Sequence, residues 1–112
     1  MNEHYYDSDD LKQFGEIGKY GKQHADLFFK YYGEVTGSDG ALSKREKALI
    51  ALAVSHAMKC PYCIDAYSTA CLEAGANPEQ MMEAVHVAAV MQAGITLVHS
   101  TQMMKHLDKL IL

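Results

Sequence analysis

The chain has 112 residues, a formal net charge of −4 and 49% hydrophobic residues. A chain of this length forms one domain and buries about two thirds of its unfolded surface, so it can build a core without disulfide bonds. Arg45 is the only arginine, and the net charge is negative, which excludes a basic nucleic-acid-binding surface. The number of cysteines is odd, which argues against a secreted disulfide framework.

The first ten residues, MNEHYYDSDD, are polar and acidic. A secretory signal peptide instead has a basic start followed by an apolar run. Along the rest of the chain, no uninterrupted apolar run approaches the about 20 residues that a transmembrane helix needs. We therefore expect a soluble, cytoplasmic protein that does not bind membranes.

The first half of the chain predicts helices. Apolar residues recur at helical spacing over residues 9–35, and three glycines favour a division into two helices, since each costs about 1 kcal/mol relative to alanine. A loop over residues 36–40 follows. Ser43 and Glu46 then match a capping box, which predicts a helix over residues 44–58. Because this helix is apolar on more than one side, we expect it to lie centrally.

A cysteine pair in the sequence CPYC follows that helix and begins the next one. Proline is favoured at the first helical position, so we expect Cys60 at the N-cap and Cys63 in the first turn. There the helix dipole and unpaired backbone N–H groups favour a thiolate over a thiol. The short connection between the two helices predicts an antiparallel αα-hairpin.

The last third of the chain also predicts helix. Asn77 and Pro78 form a strong start signal, with an N-cap residue followed by proline at the first position. Helical spacing then continues over residues 81–91 and 95–110, and we expect a break or kink near Gly94. Together these segments predict an all-α fold.

The central hairpin resembles a known family. The segments EKALIALAVSHAMKCPYCIDAY and CLEAGANPEQMMEAV look like the core of the carboxymuconolactone decarboxylase / alkylhydroperoxidase D (AhpD-like) family. The resemblance covers residues 42–99, which we take as the core of a single domain over residues 1–112. It implies an AhpD-like helical domain that forms a homo-oligomer, a trimer or hexamer. The sequence CPYCIDAY is most similar to an arsenosugar-associated, peroxidase-like subgroup.

The resemblance also implies a function. Family members with a CxxC motif reduce hydroperoxides, so the chain is expected to be a thiol-dependent peroxidase or disulfide oxidoreductase. Cys63 corresponds to the thiolate that attacks the peroxide, and Cys60 to the thiol that resolves the product. An external dithiol or thioredoxin-like reductant would then reduce the disulfide. No cofactor or metal is implied.

Two positions depart from the proton relay of the family. Tyr67 stands where the family has a histidine, and Ala48 stands where it has a glutamate. A tyrosine can donate a hydrogen bond to a leaving alkoxide, but it is a poor base at neutral pH. His56, which the hairpin brings near Cys63, could accept the thiol proton instead. Glu46, two residues before Ala48, could orient one of these groups.

Two other functions stay open. One is a lactone decarboxylase-like activity, as in other family members, which would not need the thiol pair. The other is a non-catalytic helical oligomer that senses oxidants or binds metal through Cys60, Cys63, His56 and His86. A structural zinc site needs about four ligands, and no second CxxC is present. Cys71, two turns after Cys63, is expected in the core.

Overall fold

The computed structural model describes residues 6–111, and these contain helices and no strand. A 3₁₀ helix spans Ser8–Tyr20. Four α-helices follow, namely α1 (Lys22–Thr36), α2 (Lys44–Ala57), α3 (Pro61–Glu73) and α4 (Pro78–Ile111). The prediction of an all-α fold is confirmed.

The N-terminal stretch forms two helices, as its glycines predict. The Asp7 carboxylate accepts a hydrogen bond from the Asp9 N–H at 3.0 Å and so caps the 3₁₀ helix, and the break before α1 falls at Gly21. A Cβ atom at Gly18 would lie 3.2 Å from the Cβ of Ala25, so the two helices approach closely there. The 3₁₀ helix packs against both α1 and α3, and this packing holds a helix type that is rarely so long.

The α2–α3 hairpin begins with the predicted capping box. The Ser43 hydroxyl accepts from the Glu46 N–H at 3.1 Å, and the Glu46 carboxylate accepts from the Ser43 N–H at 2.8 Å. Helix α2 packs against α3 on one side and α4 on the other, so its predicted central position is confirmed. Lys59, with φ of 55°, makes the turn between the two helices of the hairpin.

The core lies between α2, α3 and the beginning of α4. Leu52 and Cys71 are its largest fully buried side chains, with 2% and 0% of their surface exposed. Smaller and partly buried residues pack around them: Ala48, Ala76, Leu49, Tyr67, Ala70, Ala74 and Met81. The prediction that Cys71 belongs to the core is confirmed, and burial raises the pKa of its thiol.

Helix α4 is continuous over its 34 residues, so the expected break near Gly94 is wrong. A Cβ atom at Gly94 would meet nothing within 4 Å, so this glycine serves no close helix approach. A single glycine costs about 1 kcal/mol in a helix. The uninterrupted backbone hydrogen bonding of a long helix outweighs that cost, which explains why the sequence signal for a break failed.

The second half of α4 extends away from the core with its apolar side chains exposed. The radius of gyration is 19.1 Å, whereas a compact chain of this length has about 13 Å. The accessible surface is 9021 Å², against about 6,100 Å² for a compact monomer of 12.4 kDa. The described chain therefore exposes far more surface than a compact globular monomer of the same mass.

Length and composition alone would also let α4 cross a membrane. Its most apolar 18-residue window has a mean hydropathy of 1.5, and 6% of that window is buried. The sequence-based expectation considered only uninterrupted apolar runs and missed this helix, because polar residues such as Gln92 and Thr96 interrupt it. The core helix of a soluble protein also meets these criteria of length and composition, and one such helix is therefore weak evidence for a membrane span.

Candidate active site

The cysteine pair lies at the N-terminus of α3. Cys60 and Cys63 form a disulfide with their Cα atoms 5.3 Å apart, an ordinary separation for this bond. Cys60 is the N-cap residue, and its sulfur accepts a hydrogen bond from the Cys63 N–H at 3.3 Å. Pro61, which follows Cys60 directly, is the first residue of α3. The predicted placement of the CxxC motif at a helix N-terminus is confirmed, and both cysteines are partly buried.

An apolar cavity of about 500 Å³ lies beside the disulfide, and both cysteines form part of its wall. Ligand-binding pockets commonly have volumes of about 300–1,000 Å³, so this one can hold a small organic molecule. The lining comes from the 3₁₀ helix, α1 and the first turns of α3: Asp10, Leu11, Gln13, Phe14, Ile17, Phe28, Tyr32, Cys60, Tyr62, Cys63, Ala66 and Tyr67.

Aromatic rings make up much of this wall. The centroid of the Phe14 ring lies 6.0 Å from that of Phe28, 5.1 Å from that of Phe29 and 6.5 Å from that of Tyr32. These pairs meet edge to face, which is a favourable arrangement for aromatic rings. The cluster joins the 3₁₀ helix to α1 and gives the cavity a hydrophobic side.

Two of the tyrosines that line the cavity are in contact through their hydroxyl groups. The hydroxyls of Tyr32 and Tyr67 share a hydrogen bond, and Tyr67 lies one helical turn after Cys63. Burial and the bond to Tyr32 raise the pKa of Tyr67, so its hydroxyl keeps its proton at neutral pH. Tyr67 can therefore act as a proton donor in the cavity and not as a base.

Tyr32 is a residue of the site that the sequence reasoning missed. It belongs to α1, and 35 positions separate it from Tyr67 in the sequence. The available signal was the helical spacing of Phe28 and Tyr32, which puts two aromatic residues on one face of α1. That spacing indicates a packed face, but it does not say which helix the face packs against.

A second, more polar cavity of about 700 Å³ shares the same two tyrosines in its lining. Its wall includes Ala48, the position to which the resemblance assigns a relay glutamate, and both Tyr32 and Tyr67. The charged residues of its lining are Asp39, Lys44, Arg45, Lys47 and Glu73. Tyr32 and Tyr67 are thus common to the apolar cavity at the disulfide and the polar cavity.

The other two predicted site residues, His56 and Glu46, are not among those that line the apolar cavity. Nδ1 of His56 donates to the Leu52 carbonyl oxygen at 2.9 Å, which leaves Nε2 as the proton acceptor of the ring. Glu46 is exposed, and the hydrogen bonds with Ser43 lower the pKa of its carboxyl group. Glu46 is thus engaged in capping α2, and the structure brings neither side chain to the cavity with the cysteines.

Within residues 6–111, no group of three or more histidine, cysteine, aspartate or glutamate side chains could hold a metal ion. His86 is exposed on α4, and it does not join His56 and the two cysteines in a ligand set. The described part of the chain therefore contains no set of ligands that would support the metal-binding alternative.

Comparison with known proteins gives a consistent result. The model of the carboxymuconolactone decarboxylase family matches residues 22–106. A protein of Paracoccus denitrificans named "Uncharacterized protein 4 in cox locus" is 41% identical over 96 residues, which cover 86% of each chain. The family match includes the hairpin, the cysteine pair and most of α4. The chain belongs to the carboxymuconolactone decarboxylase family.

Proposed function

We propose that this protein is a thiol-dependent peroxidase that reduces hydroperoxides through Cys60 and Cys63. The observation that carries the proposal is a disulfide at a helix N-terminus that forms part of the wall of an apolar cavity. The family contains both AhpD-like peroxidases and decarboxylases. The position of the thiol pair favours the first of these, because a decarboxylase does not need it.

In the first step, the Cys63 thiolate attacks the terminal oxygen of the hydroperoxide. A sulfur–oxygen bond forms and the oxygen–oxygen bond breaks, so that sulfur loses two electrons and the peroxide gains them. The leaving alkoxide takes one proton and departs as an alcohol, or as water when the substrate is hydrogen peroxide. Cys63 is left as a sulfenic acid.

In the second step, the Cys60 thiolate attacks the Cys63 sulfenic sulfur. The disulfide forms, and the hydroxyl group leaves as water after it takes a proton. The helix-end geometry favours this step, because the two Cα atoms are 5.3 Å apart in the disulfide form. An external dithiol or thioredoxin-like protein then reduces the bond by exchange and is itself oxidised to a disulfide.

Tyr67 is the group we propose to protonate the leaving alkoxide. Tyr67 lines the same cavity as Cys63, and its raised pKa keeps the proton on the hydroxyl at neutral pH. Tyr32 hydrogen-bonds to it and also lines the polar cavity, so it can return a proton from that side. His56 lies outside the lining of the apolar cavity, and we propose it as the base for the Cys63 thiol through Nε2, which would have to reach the sulfur from outside the cavity. Glu46 is proposed to act only through the capping of α2.

The test is a single-turnover reaction of the reduced protein with a small hydroperoxide. Cys63→Ser should abolish the reaction, whereas Cys60→Ser should consume one equivalent of peroxide and accumulate sulfenic acid. Cys71→Ser is the matched control, because this buried thiol takes no part in the mechanism. The proposal would be rejected if Cys63→Ser reduced peroxide as fast as the parent protein.

We further propose that the chain acts as a cytoplasmic homo-oligomer, a trimer or hexamer, with no nucleic-acid partner. The exposed apolar surface of α4 supports assembly, because monomers rarely leave so large an apolar area in contact with water. Insertion of α4 into a membrane is the competing explanation. A protein that sediments as a defined oligomer without detergent would favour assembly over insertion.

A lactone decarboxylase-like activity is the second candidate. The observation in its favour is the polar cavity, where Lys44, Arg45 and Lys47 can attract a carboxylate-bearing lactone. Decarboxylation there would survive alkylation of the thiols, whereas peroxidase activity would not. Assaying both activities before and after alkylation with iodoacetamide therefore separates the two candidates.

A further inference from the structure

A segment outside the family match covers the cysteine pair. The match begins at residue 22, whereas the 3₁₀ helix ends at Tyr20. This helix nevertheless packs on α3 and supplies five of the residues that line the apolar cavity, namely Asp10, Leu11, Gln13, Phe14 and Ile17. Part of the cavity wall beside Cys63 is thus formed by residues of the 3₁₀ helix, which lie outside the family match.

Three contacts hold this segment on α3. The Tyr6 hydroxyl donates to the Asp65 carboxylate, and the Tyr6 ring packs against that of Tyr62 with centroids 4.7 Å apart. The Tyr62 hydroxyl donates to the Asp10 carboxylate at 3.4 Å. The bond to Asp65 raises the pKa of Tyr6 to about 12, so the hydroxyl keeps its proton at neutral pH. The segment is therefore held on the first turns of α3, at Tyr62 within the CPYC motif and at Asp65 just after it.

The lining of the cavity is mostly apolar and carries one negative charge. Apolar side chains dominate its lining, with Leu11, Phe14 and Ile17 from the 3₁₀ helix and Phe28 from α1. Among the described residues that line it, Asp10 carries the only formal charge, and that charge is negative. An apolar group gains from burial here, whereas a carboxylate would lose hydration beside a like charge.

We propose that the 3₁₀ helix selects the substrate, so that the site prefers hydroperoxides with an apolar, uncharged organic group. Hydrogen peroxide cannot use the apolar wall, and an anionic fatty-acid hydroperoxide meets Asp10. The organic group packs against Phe14 and Ile17, and the terminal peroxide oxygen is transferred to the Cys63 sulfur as described above. This inference rests on the proposed peroxidase function.

The test compares single-turnover rate constants of the reduced protein with four oxidants. These are cumene hydroperoxide, hydrogen peroxide, linoleic acid hydroperoxide and the methyl ester of the latter. We expect cumene hydroperoxide to react at least tenfold faster than hydrogen peroxide, and the ester to react faster than the acid. The ester replaces the carboxylate by an uncharged group of similar size, so their ratio measures the charge preference of the site.

Paired variants assign the preferences to the 3₁₀ helix. Phe14→Ala should lower the rate constant for cumene hydroperoxide about tenfold and leave that for hydrogen peroxide within about twofold, because only the former buries apolar surface. Tyr20→Ala, on the same helix but 90% exposed and outside the cavity, should change neither. If Phe14→Ala lowers the helix content measured by circular dichroism, Ile17→Ala provides the same comparison.

The charge preference has its own matched pair. Asp10→Asn should lower the ester-to-acid ratio about threefold, as expected for two unit charges about 6 Å apart in water. Glu16→Gln removes the same charge from the same helix outside the cavity and should leave the ratio unchanged. Equal changes in the two variants would point to net charge and would overturn the assignment to Asp10.

The outcomes for the two proposals are distinguishable. If all four oxidants react at similar rates, or if Phe14→Ala slows them all equally, the selectivity proposal fails and the peroxidase proposal stands. If none of them oxidises the reduced wild-type protein, the peroxidase proposal itself fails. Preferences that follow the pattern above, and that disappear in the cavity variants alone, would support both.

Discussion

The α2–α3 hairpin and the second half of α4 have similarly apolar sequences but different surroundings. In the hairpin, Leu52 is 2% exposed and packs with Cys71 inside one chain. In α4, Ile95, Leu97 and Val98 are 58%, 69% and 59% exposed. The difference teaches that apolar composition alone does not decide burial, because a helix needs a partner at the right place. The hairpin has that partner within the chain, whereas residues 6–111 provide none for the second half of α4.

Core truncation should have the largest effect on stability. Leu52→Ala is expected to lower the free energy of unfolding by about 2–5 kcal/mol, because it leaves a cavity in a fully packed site. The matched variant is Ile95→Ala, which should cost little in a dissociated chain. Urea denaturation at two protein concentrations measures both.

The concentration dependence sharpens the comparison between the two regions. The Leu52→Ala loss should persist on dilution, since its contacts lie within one chain. The Ile95→Ala loss should appear only at concentrations at which the protein is assembled. A large Ile95→Ala effect that is independent of concentration would mean that α4 has partners within its own chain.

A charge on the exposed apolar face tests assembly directly. Val98→Asp should shift the protein towards smaller species, because a buried carboxylate without a partner is costly at an interface. Tyr20→Asp, at a 90% exposed position on the 3₁₀ helix, should leave the molar mass unchanged. Size-exclusion chromatography with light scattering gives the result, and an unaltered mass for Val98→Asp would exclude this face from the interface.

The tyrosine pair provides a prediction with a pH dependence. Tyr67→Phe removes the hydroxyl and should lower the free energy of unfolding by about 1 kcal/mol at neutral pH. The folded-state pKa of Tyr67 is raised, mainly by burial, above the unfolded value of about 10. Its stabilising contribution is therefore complete below about pH 10 and is lost as the pH rises through the folded-state value.

The difference in unfolding free energy between wild type and Tyr67→Phe should accordingly shrink in alkaline solution. Chemical denaturation at neutral pH and above pH 10 measures it. Tyr31→Phe is the control, because this tyrosine is 68% exposed on α1. A difference that stays constant with pH would show that the Tyr67 hydroxyl titrates in the same way in both states.

Variants of the capping box separate a structural role of Glu46 from a catalytic one. Ser43→Ala should cost about 1 kcal/mol of stability, as is typical for the loss of an N-cap side chain. Glu46→Gln keeps a hydrogen-bond acceptor and should alter neither the fold nor the peroxide reaction. A strong loss of peroxidase rate in Glu46→Gln, with normal stability, would instead assign this residue to the proton path.

Local signals in the sequence predicted much of the fold. The capping box of Ser43 and Glu46 depends on residues close together in the sequence, and so does the helix start at Cys60 and Pro61. Their hydrogen bonds and dihedral preferences can therefore be predicted from the amino-acid sequence alone. Gly94 led to a wrong prediction of a break, because the free-energy cost of one glycine is too small to interrupt the backbone hydrogen bonding of α4. The site was less accessible to prediction, since Tyr32 on α1 and Tyr67 on α3 are far apart in the sequence and meet only in the folded chain.

The sequence by itself determined the helical segments, the helix-end position of the cysteine pair and the family. These depend on short-range spacing, capping and the order of motifs. Only the tertiary structure decided that the 3₁₀ helix lines the cavity at the disulfide, that Tyr32 contacts Tyr67, and that the capping residue Glu46 does not line this cavity. Those features depend on contacts between residues far apart in the chain, which packing selects and local sequence does not encode.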